Sequence, residues 1–215
     1  LKELCINSWN YESNAALVEY AVEPLLRALE RNTSVQRLEL SLPSDVHKEA
    51  IVSLIETNTG IKRLDLNSYL HGQAGAAIIQ SLHLHPRLDE LKISFSGLDF
   101  WKVLAGLIVS PSCPREVTVK EAYLSGGELE TMWIISALTE NRNLEVLNLE
   151  LNDFSRQAVP SFVKMVESHP TLKGIRVKSQ EFSRDEVEKI QRALERNRGI
   201  SGRTERPARS DSSSD

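Results

Sequence analysis

The chain has 215 residues, of which 40% are hydrophobic and 26% are charged, and its formal net charge is −4. This is a globular composition, and it contains no apolar run of the roughly 18 residues that a membrane-spanning helix needs. Positive and negative residues are interspersed, which argues against a nucleic-acid groove or a polybasic membrane patch. We therefore expect a protein that binds neither nucleic acid nor a membrane.

The N-terminal segment LKELCIN lacks the basic and then apolar pattern of a secretory signal. Cys5 and Cys113 lie far apart in the sequence, so we expect two free thiols in a reducing compartment. The expected location is the cytoplasm.

From residue 1 onward the chain repeats the pattern L-x-x-L-x-L, and VQRLELS at 35–41 returns as IKRLDLN at 61–67. The triplets are Leu1, Leu4, Ile6; Val35, Leu38, Leu40; Ile61, Leu64, Leu66; Leu88, Leu91, Ile93; Pro114, Val117, Val119 (a degenerate copy); Leu144, Leu147, Leu149; and Leu172, Ile175, Val177. The first residues of successive triplets, called anchors below, are 34, 26, 27, 26, 30 and 28 residues apart. Alternation predicts a short strand in each copy, with its apolar residues facing inward.

A helix is predicted before each anchor, because apolar residues recur ten and six positions upstream. The residues ten positions upstream are Leu25, Ile51, Ile78, Leu104, Ile134, Phe162 and Ile190. Those six positions upstream are Leu29, Ile55, Leu82, Ile108, Leu138, Val166 and Leu194. Trp101 and Trp133 fall within these helices, and packing between repeats is favoured over a contact role for both.

Helix ends are predicted three positions before each anchor. The residues there are Asn32, Asn58, His85, Pro111, Asn141, His169 and Asn197. We expect Asn to end a helix through the left-handed conformation, and Pro to stop one. Helix starts are predicted by capping-box spacing at Ser125 with Glu128 and at Ser183 with Glu186.

Each unit is therefore a strand, a loop, a helix and a turn, and no unit can bury its apolar face alone. Stacked units share a core, which predicts a single α/β solenoid over residues 1–200 with about seven repeats, a curved parallel sheet on the concave side and helices on the convex side. The period also predicts a strand at Ile200. Residues 201–215 lack apolar residues and are expected to be a disordered tail or linker. The chain is interpreted as a piece of a longer protein.

The segments LERNTSVQRLEL, IETNTGIKRLDL and LTENRNLEVLNLELNDFS resemble leucine-rich repeats, of the ribonuclease-inhibitor type by their length and helical convex side. The resemblance covers roughly residues 1 to 200. It implies a protein-binding horseshoe, as found in inhibitors, immune receptors and some bacterial effectors.

The sequence departs from that family at two places. The family usually has Asn eight residues after the anchor, and only Asn152 fits, whereas Trp9 and Tyr69 stand at that position in two other repeats. The family's asparagine ladder is therefore expected to be mostly missing. Pro114 replaces a core Leu, so the segment SPSCPREV is expected to bend or loosen the array.

The concave strand face is the expected contact surface by resemblance. Alternation assigns to it the most charged residues of the second to fourth repeats, namely Arg37, Glu39, Arg63, Asp65, Glu90 and Lys92. Two interpretations stay open for them: cross-strand pairing that keeps an exposed sheet hydrated, and a patch that meets a complementary partner. Trp9 and Tyr69 either fill the space of the missing ladder or stand on the loop rim as contact residues.

The sequence shows no catalytic constellation and no cofactor motif. His83 and His85 are close together, but no Cys or acidic cluster at zinc spacing accompanies them, so no metal site is expected. We expect a monomeric protein-interaction module, not an enzyme, with a protein partner. The alternatives are the recognition part of a larger enzyme or receptor (of the ubiquitin ligase, bacterial effector or NOD-like receptor type) and a cytoskeletal domain resembling actin-capping proteins.

Overall fold

The computed structural model of the protein describes residues 1–7, 15–42, 44–86, 88–96, 98–120, 128–149, 155–177 and 182–203. Within these ranges, strands β1 to β7 span Glu3–Asn7, Arg37–Ser41, Arg63–His71, Glu90–Ser96, Glu116–Lys120, Val146–Leu149 and Gly174–Val177. Helices α1 to α7 span Ala15–Leu29, Ser44–Thr57, Gly72–Ser81, Leu98–Val109, Glu128–Glu140, Val159–Ser168 and Arg184–Arg203. Two short 3-10 turns lie at Leu82–Leu84 and Arg156–Ala158.

The seven described strands form one sheet in the order β1 to β7, and every neighbouring pair is parallel. A helix follows each strand, so the chain is an α/β solenoid, as its repeats predict. The register aligns equivalent positions, with Leu38 opposite Leu64 and Leu64 opposite Leu91. These leucines are at most 3% exposed and form the core between the sheet and the helices.

The two predicted apolar columns of the helices are confirmed from the second repeat onward. Ile51, Ile78 and Leu104 are each at most 1% exposed, and Leu194 at the far end is 6% exposed. The predicted burial is wrong for Leu25, whose side chain is 40% exposed. It lies at the N-terminal end of the stack, where no earlier repeat in the described residues covers it.

The neighbours Val22 and Leu26 face the core in place of Leu25 and are 4% and 0% exposed. Leu1, the first anchor, is 82% exposed at the same end of the stack. The prediction for the tryptophans fits the structure better. Trp101 is 2% exposed and meets Phe100 edge to face, and half-buried Trp133 packs on the core.

The helix ends predicted three positions before the anchors are confirmed where α2 ends at Thr57, α5 at Glu140 and α6 at Ser168. The prediction is wrong at Asn197, because α7 continues to Arg203. His85 and His169 have φ values of −72° and −70°, so neither residue is left-handed. Asn58 accepts hydrogen bonds through Oδ1 from the N–H groups of Gly60 and Ile61, both at 2.8 Å. Its Nδ2 group donates to the carbonyl oxygens of Leu29 and Asn32 in the preceding repeat, at 2.7 and 2.8 Å.

Asn141 and Asn197 bridge successive repeats in the same way. The Nδ2 group of Asn141 donates to the carbonyl of Ile108, and that of Asn197 donates to the carbonyls of His169 and Leu172. The stack therefore has a ladder of asparagine side chains, which lie just after helix ends at positions 58 and 141 and inside α7 at position 197. Asn152, the one residue that fits the ladder position of the resembled family, lies outside the described residues.

The two prolines of the fifth repeat compensate for one another in hydrogen bonding. In the turn between helix and strand of other repeats, Oδ1 of Asn58 accepts from the N–H of the anchor Ile61, and Oδ1 of Asn141 accepts from that of Leu144. Pro111 has no side-chain acceptor, and Pro114 has no N–H to be satisfied. Strand β5 pairs with β4 over five residues and also pairs with β6, so the expected loosening does not interrupt the sheet.

The last helix begins as predicted and extends further than predicted. The Glu186 carboxylate accepts from the N–H and hydroxyl of Ser183, both at 2.7 Å, which confirms this capping box. The other predicted capping box begins at Ser125, which lies outside the described residues. Helix α7 continues through position 200, so the strand predicted at Ile200 is not formed. Of the expected tail, 201–203 belong to α7 and 204–215 lie outside the described residues.

Candidate partner-binding face

The sheet register brings the six charged residues of the sequence prediction together on three neighbouring strands. Parallel pairing sets Arg37 beside Arg63 and Arg63 beside Glu90, forming the first row. It sets Glu39 beside Asp65 and Asp65 beside Lys92, forming the second row. All six side chains are exposed or half-buried, and they alternate with the buried leucines, so they lie on the concave face.

The two predicted aromatic contact residues are not placed with this group. Trp9 lies outside the described residues. The backbone of Tyr69 belongs to β3, which reaches His71, so this position is in an extended strand and not in a loop. The register of β3 against β4 shifts between Leu66 and Leu70, just where Tyr69 lies.

Ion pairs form on one side of the charged group. The Nζ atom of Lys92 lies 2.8 Å from Oε1 of Glu90, and Nε of Arg63 lies 3.5 Å from Oε2 of the same carboxylate. Within the described part of the chain, Arg37, Glu39 and Asp65 form no ion pair. Glu90 is therefore paired with one cation on β3 and one on β4, whereas no ion pair joins β2 to β3 within the described residues.

The second row changes the acidity of two groups. Partial burial, together with the neighbouring Glu39 carboxylate, raises the pKa of Asp65, although Lys120, Lys92 and Arg37 oppose the shift. Desolvation, with Glu39 and Asp65 next, raises the pKa of the Cys5 thiol. At neutral pH this thiol stays protonated, so Cys5 is not an activated nucleophile.

The charged part of the concave face extends to β5. Glu116 continues the first row beside Glu90, which is a second like-charged pairing, and Val146 and Gly174 follow it. Thr118 and Asn148 continue the second row. Lys120 and Arg176 are the described cations in this half of the face. The concave charges therefore lie mainly on β2 to β5, with two charged residues on each of these strands.

The structure also contains a groove that the sequence did not predict. This groove of about 590 Å³ runs along the edge where the helices end and the strands begin. It is lined in part by Lys62, Asp89, Arg115, Glu145 and Arg142. The first four are the residues directly after successive anchors, and their signs alternate. The alternating charges directly after the anchors could have indicated this groove from the sequence. They also fit ordinary charge pairing along an edge, as in the 2.9 Å pair of Lys173 with Glu145.

Few groups among the described residues could support metal binding or catalysis. The described residues include no cluster of three or more His, Cys, Asp or Glu side chains arranged to hold a metal ion. His83 and His85 flank the end of a 3-10 turn, as the sequence predicts. Cys5 is exposed and Cys113 is buried, and both are free thiols. Burial raises the pKa of Cys113 to about 12. No described helix has the length and apolar character to cross a membrane.

The strand and helix repeats, with their inward L-x-L residues, define the chain as a solenoid of the leucine-rich-repeat type. No protein-family model matches the sequence. No curated protein matches it either. Among solved structures, actin-binding site 2 of leiomodin-1 is similar with a TM-score of 0.44 and 14% identity, covering 83% of this chain and 90% of that one. The tropomodulin C-terminal domain of Caenorhabditis elegans has a TM-score of 0.40 and 14% identity, covering 95% and 88%.

Proposed function

We propose that this protein is an interaction module that binds a protein partner through its concave face and the adjacent loops. The observation that carries the proposal is the like-charged contact at the β2–β3 boundary, where Arg37 lies beside Arg63 and Glu39 beside Asp65. Like charges directly opposite one another on a sheet are unfavourable. A complementary partner removes that penalty, whereas simple hydration of the sheet is achieved better by alternating signs.

The proposal includes the absence of catalysis by this chain. If the module recruits substrates for a larger enzyme or receptor, a bound partner supplies the catalytic activity. The repeats of 26 to 34 residues with α-helices on the convex side support the ribonuclease-inhibitor type over shorter repeat types. Two free thiols support a reducing compartment such as the cytoplasm. We propose a monomer, and light scattering of the purified chain tests this.

The experiment compares captured proteins between three forms of the tagged chain. The first is the natural sequence, and the second carries Arg37→Glu and Arg63→Glu. The third, a matched control, carries Lys102→Glu and Lys164→Glu on the exposed sides of α4 and α6, with the same change in net charge. Circular dichroism establishes that all three are folded before the comparison.

The proposal predicts that the concave variant loses proteins that the natural chain and the control both retain. Identical captured sets from all three forms would contradict it. Co-sedimentation with filamentous actin, run on the same three forms, tests the cytoskeletal alternative directly. The identity of the captured proteins separates a free module from the recognition part of an enzyme or receptor.

A further inference from the structure

The charges on β2 and β3 form two rows of opposite sign. The first row presents two guanidinium groups, Arg37 and Arg63, on adjacent strands, which lie about 4.8 Å apart in a sheet. The second row presents the carboxylates of Glu39 and Asp65, two residues further along each strand. Two residues of extended chain span about 6.6 Å.

The next boundary has the opposite arrangement and serves as an internal comparison. Between β3 and β4 the signs alternate in both rows, because Arg63 lies beside Glu90 and Asp65 beside Lys92. One ion pair crosses this boundary, at 3.5 Å from Arg63 to Glu90, and a second, at 2.8 Å, joins Glu90 to Lys92 within β4. The same sheet therefore places opposite charges side by side at one boundary and like charges side by side at its neighbour.

Neighbouring residues relieve the doubled charges only in part. Arg63 lies 3.5 Å from the Glu90 carboxylate, and the positive charges of Lys120, Lys92 and Arg37 favour the ionised form of Asp65. Glu3 lies opposite Arg37 in the register, but among the described residues it makes no ion pair with that arginine. Cys5 lies opposite Glu39 and is uncharged. Arg37 forms no ion pair among the described residues and the Arg63 side chain is 58% exposed, so both can donate to an added carboxylate. Glu39 and Asp65 form no ion pair in the described part of the chain, so both can accept from an ammonium or guanidinium group.

We propose that the β2–β3 patch, meaning Arg37, Glu39, Arg63 and Asp65, is a site for a protein segment that presents one acidic and one basic side chain about two extended residues apart. This inference rests on the proposed function and specifies the chemistry of the partner. The acidic side chain lies between the two arginines, which donate to it from both strands. The basic side chain lies between the two carboxylates. Such a partner has no net charge at the contact, which agrees with the balanced charge of the patch itself.

Selectivity follows from the two rows. A segment with two acidic side chains at this spacing gains one row and meets repulsion at the other, and a doubly basic segment fails in the opposite way. The mixed segment alone satisfies both rows. Since the contact is partly exposed, its strength falls with added salt.

The test uses three nine-residue threonine peptides as probes, titrated into the isotope-labelled chain and followed by NMR. They carry, with one threonine between the two positions, Glu and Lys, two Glu, or two Lys. We expect amide shifts on β2 and β3 with the mixed peptide, and affinities about fivefold lower for the two uniform peptides, as fits a few partly exposed ion pairs. Equal affinities for the three peptides, shifts elsewhere, or no saturable binding of the mixed peptide would overturn the inference.

Variants give a second and independent readout. Arg37→Gln, Glu39→Gln, Arg63→Gln and Asp65→Asn together remove the four charges and keep the net charge of the chain. The matched control removes four charges from the edge groove through Lys62→Gln, Asp89→Asn, Arg115→Gln and Glu145→Gln. The patch variant is expected to lose the preference for the mixed peptide and the control to keep it. A preference that survives in the patch variant would contradict the site.

The inference and the proposed function fail in different ways. If a partner is captured through the concave face but the three peptides bind alike, the function stands and the charge pattern of the partner is wrong. If neither the peptides nor captured proteins depend on this face, both are wrong.

Discussion

The side-chain amide of Asn58 donates a 2.7 Å hydrogen bond to the main-chain carbonyl of Leu29, one repeat earlier in the stack. The same side chain accepts from the N–H groups of Gly60 and Ile61 in its own turn. One residue therefore caps the preceding helix end and fixes the entry to the next strand. The stability of the array depends on this polar contact as well as on the leucines.

Replacing Asn58 by Ala is expected to lower the free energy of unfolding by about 3 kcal/mol, since buried N–H and carbonyl groups lose their partners. Asn143→Ala serves as the control. Asn143 is exposed and makes one 3.2 Å bond to the carbonyl of Pro111, so a loss of about 0.5 kcal/mol is expected. Denaturant unfolding measures both variants. Similar small losses would mean that the ladder adds little to stability.

His169 gives the stack a dependence on pH. Its Nδ1 atom accepts from the N–H groups of Thr171 and Leu172, at 3.3 and 3.1 Å, so the neutral ring carries its proton on Nε2. That buried atom has no hydrogen-bond partner among the described residues. Desolvation, and then the nearby Arg142, lower the pKa of His169 from 6.5 to about 4.

A histidine whose pKa is lowered in the folded state must be neutral there, whereas the unfolded chain takes up a proton below pH 6.5. Stability from this group is therefore complete above pH 6.5 and is lost as the pH falls toward 4, by up to about 3 kcal/mol. His169→Asn, the residue used at positions 58, 141 and 197, should remove that loss. The difference in unfolding free energy between variant and natural chain should grow on acidification. A constant difference from pH 7 to 4.5 would contradict the assignment.

Leu64 and Glu39 test the strand register. Leu64 is 3% exposed, and Leu64→Ala is expected to lower the unfolding free energy by about 2–5 kcal/mol. Glu39 faces away from the core, and Glu39→Ala should change it by about 0.5 kcal/mol or less. Denaturant midpoints measure both, and equal losses would mean that the alternation is out of register by one residue.

Asp65 is expected to reduce stability at neutral pH. Its pKa is raised by partial burial and by Glu39, so the folded chain holds the proton to a higher pH than the unfolded chain does. The stabilisation from protonated Asp65 is complete below the usual pKa of 3.8 and is lost as the pH rises through the raised pKa. Asp65→Asn should therefore raise the melting temperature at pH 7, and Asp89→Asn, on an exposed side chain, should leave it unchanged. A lower melting temperature for the first variant would show that the carboxylate is stabilising.

The sequence predicted the architecture well because the signal was periodic. The triplets gave the strands, and the columns at Ile51 and Ile55 gave the helices, since both periods follow from backbone geometry. The exception at Leu25 arose because burial also depends on a neighbouring repeat, which the pattern of one repeat does not contain.

The role of the asparagines needed the three-dimensional structure. Asn58 and Asn32 were assigned to helix ends correctly, but the sequence cannot show that the Asn58 amide reaches the carbonyl of Asn32 across the stack. The charged residues were likewise found by alternation. Their pairing into like-charged and opposite-charged boundaries depends on which strands are neighbours and in which register, and only the structure establishes both.

Photo-crosslinking from the concave face tests directly whether a partner binds there. A benzophenone amino acid replaces Asn67, an exposed residue of β3, and in a control it replaces Lys102 on α4. Each form is irradiated in cell extract, and the covalent products are identified by mass spectrometry. Binding through the concave face predicts a discrete product from position 67 that is absent from position 102 and disappears when Arg37 and Arg63 are changed to Glu. The same products from both positions, or a product from position 102 alone, would contradict binding through the concave face.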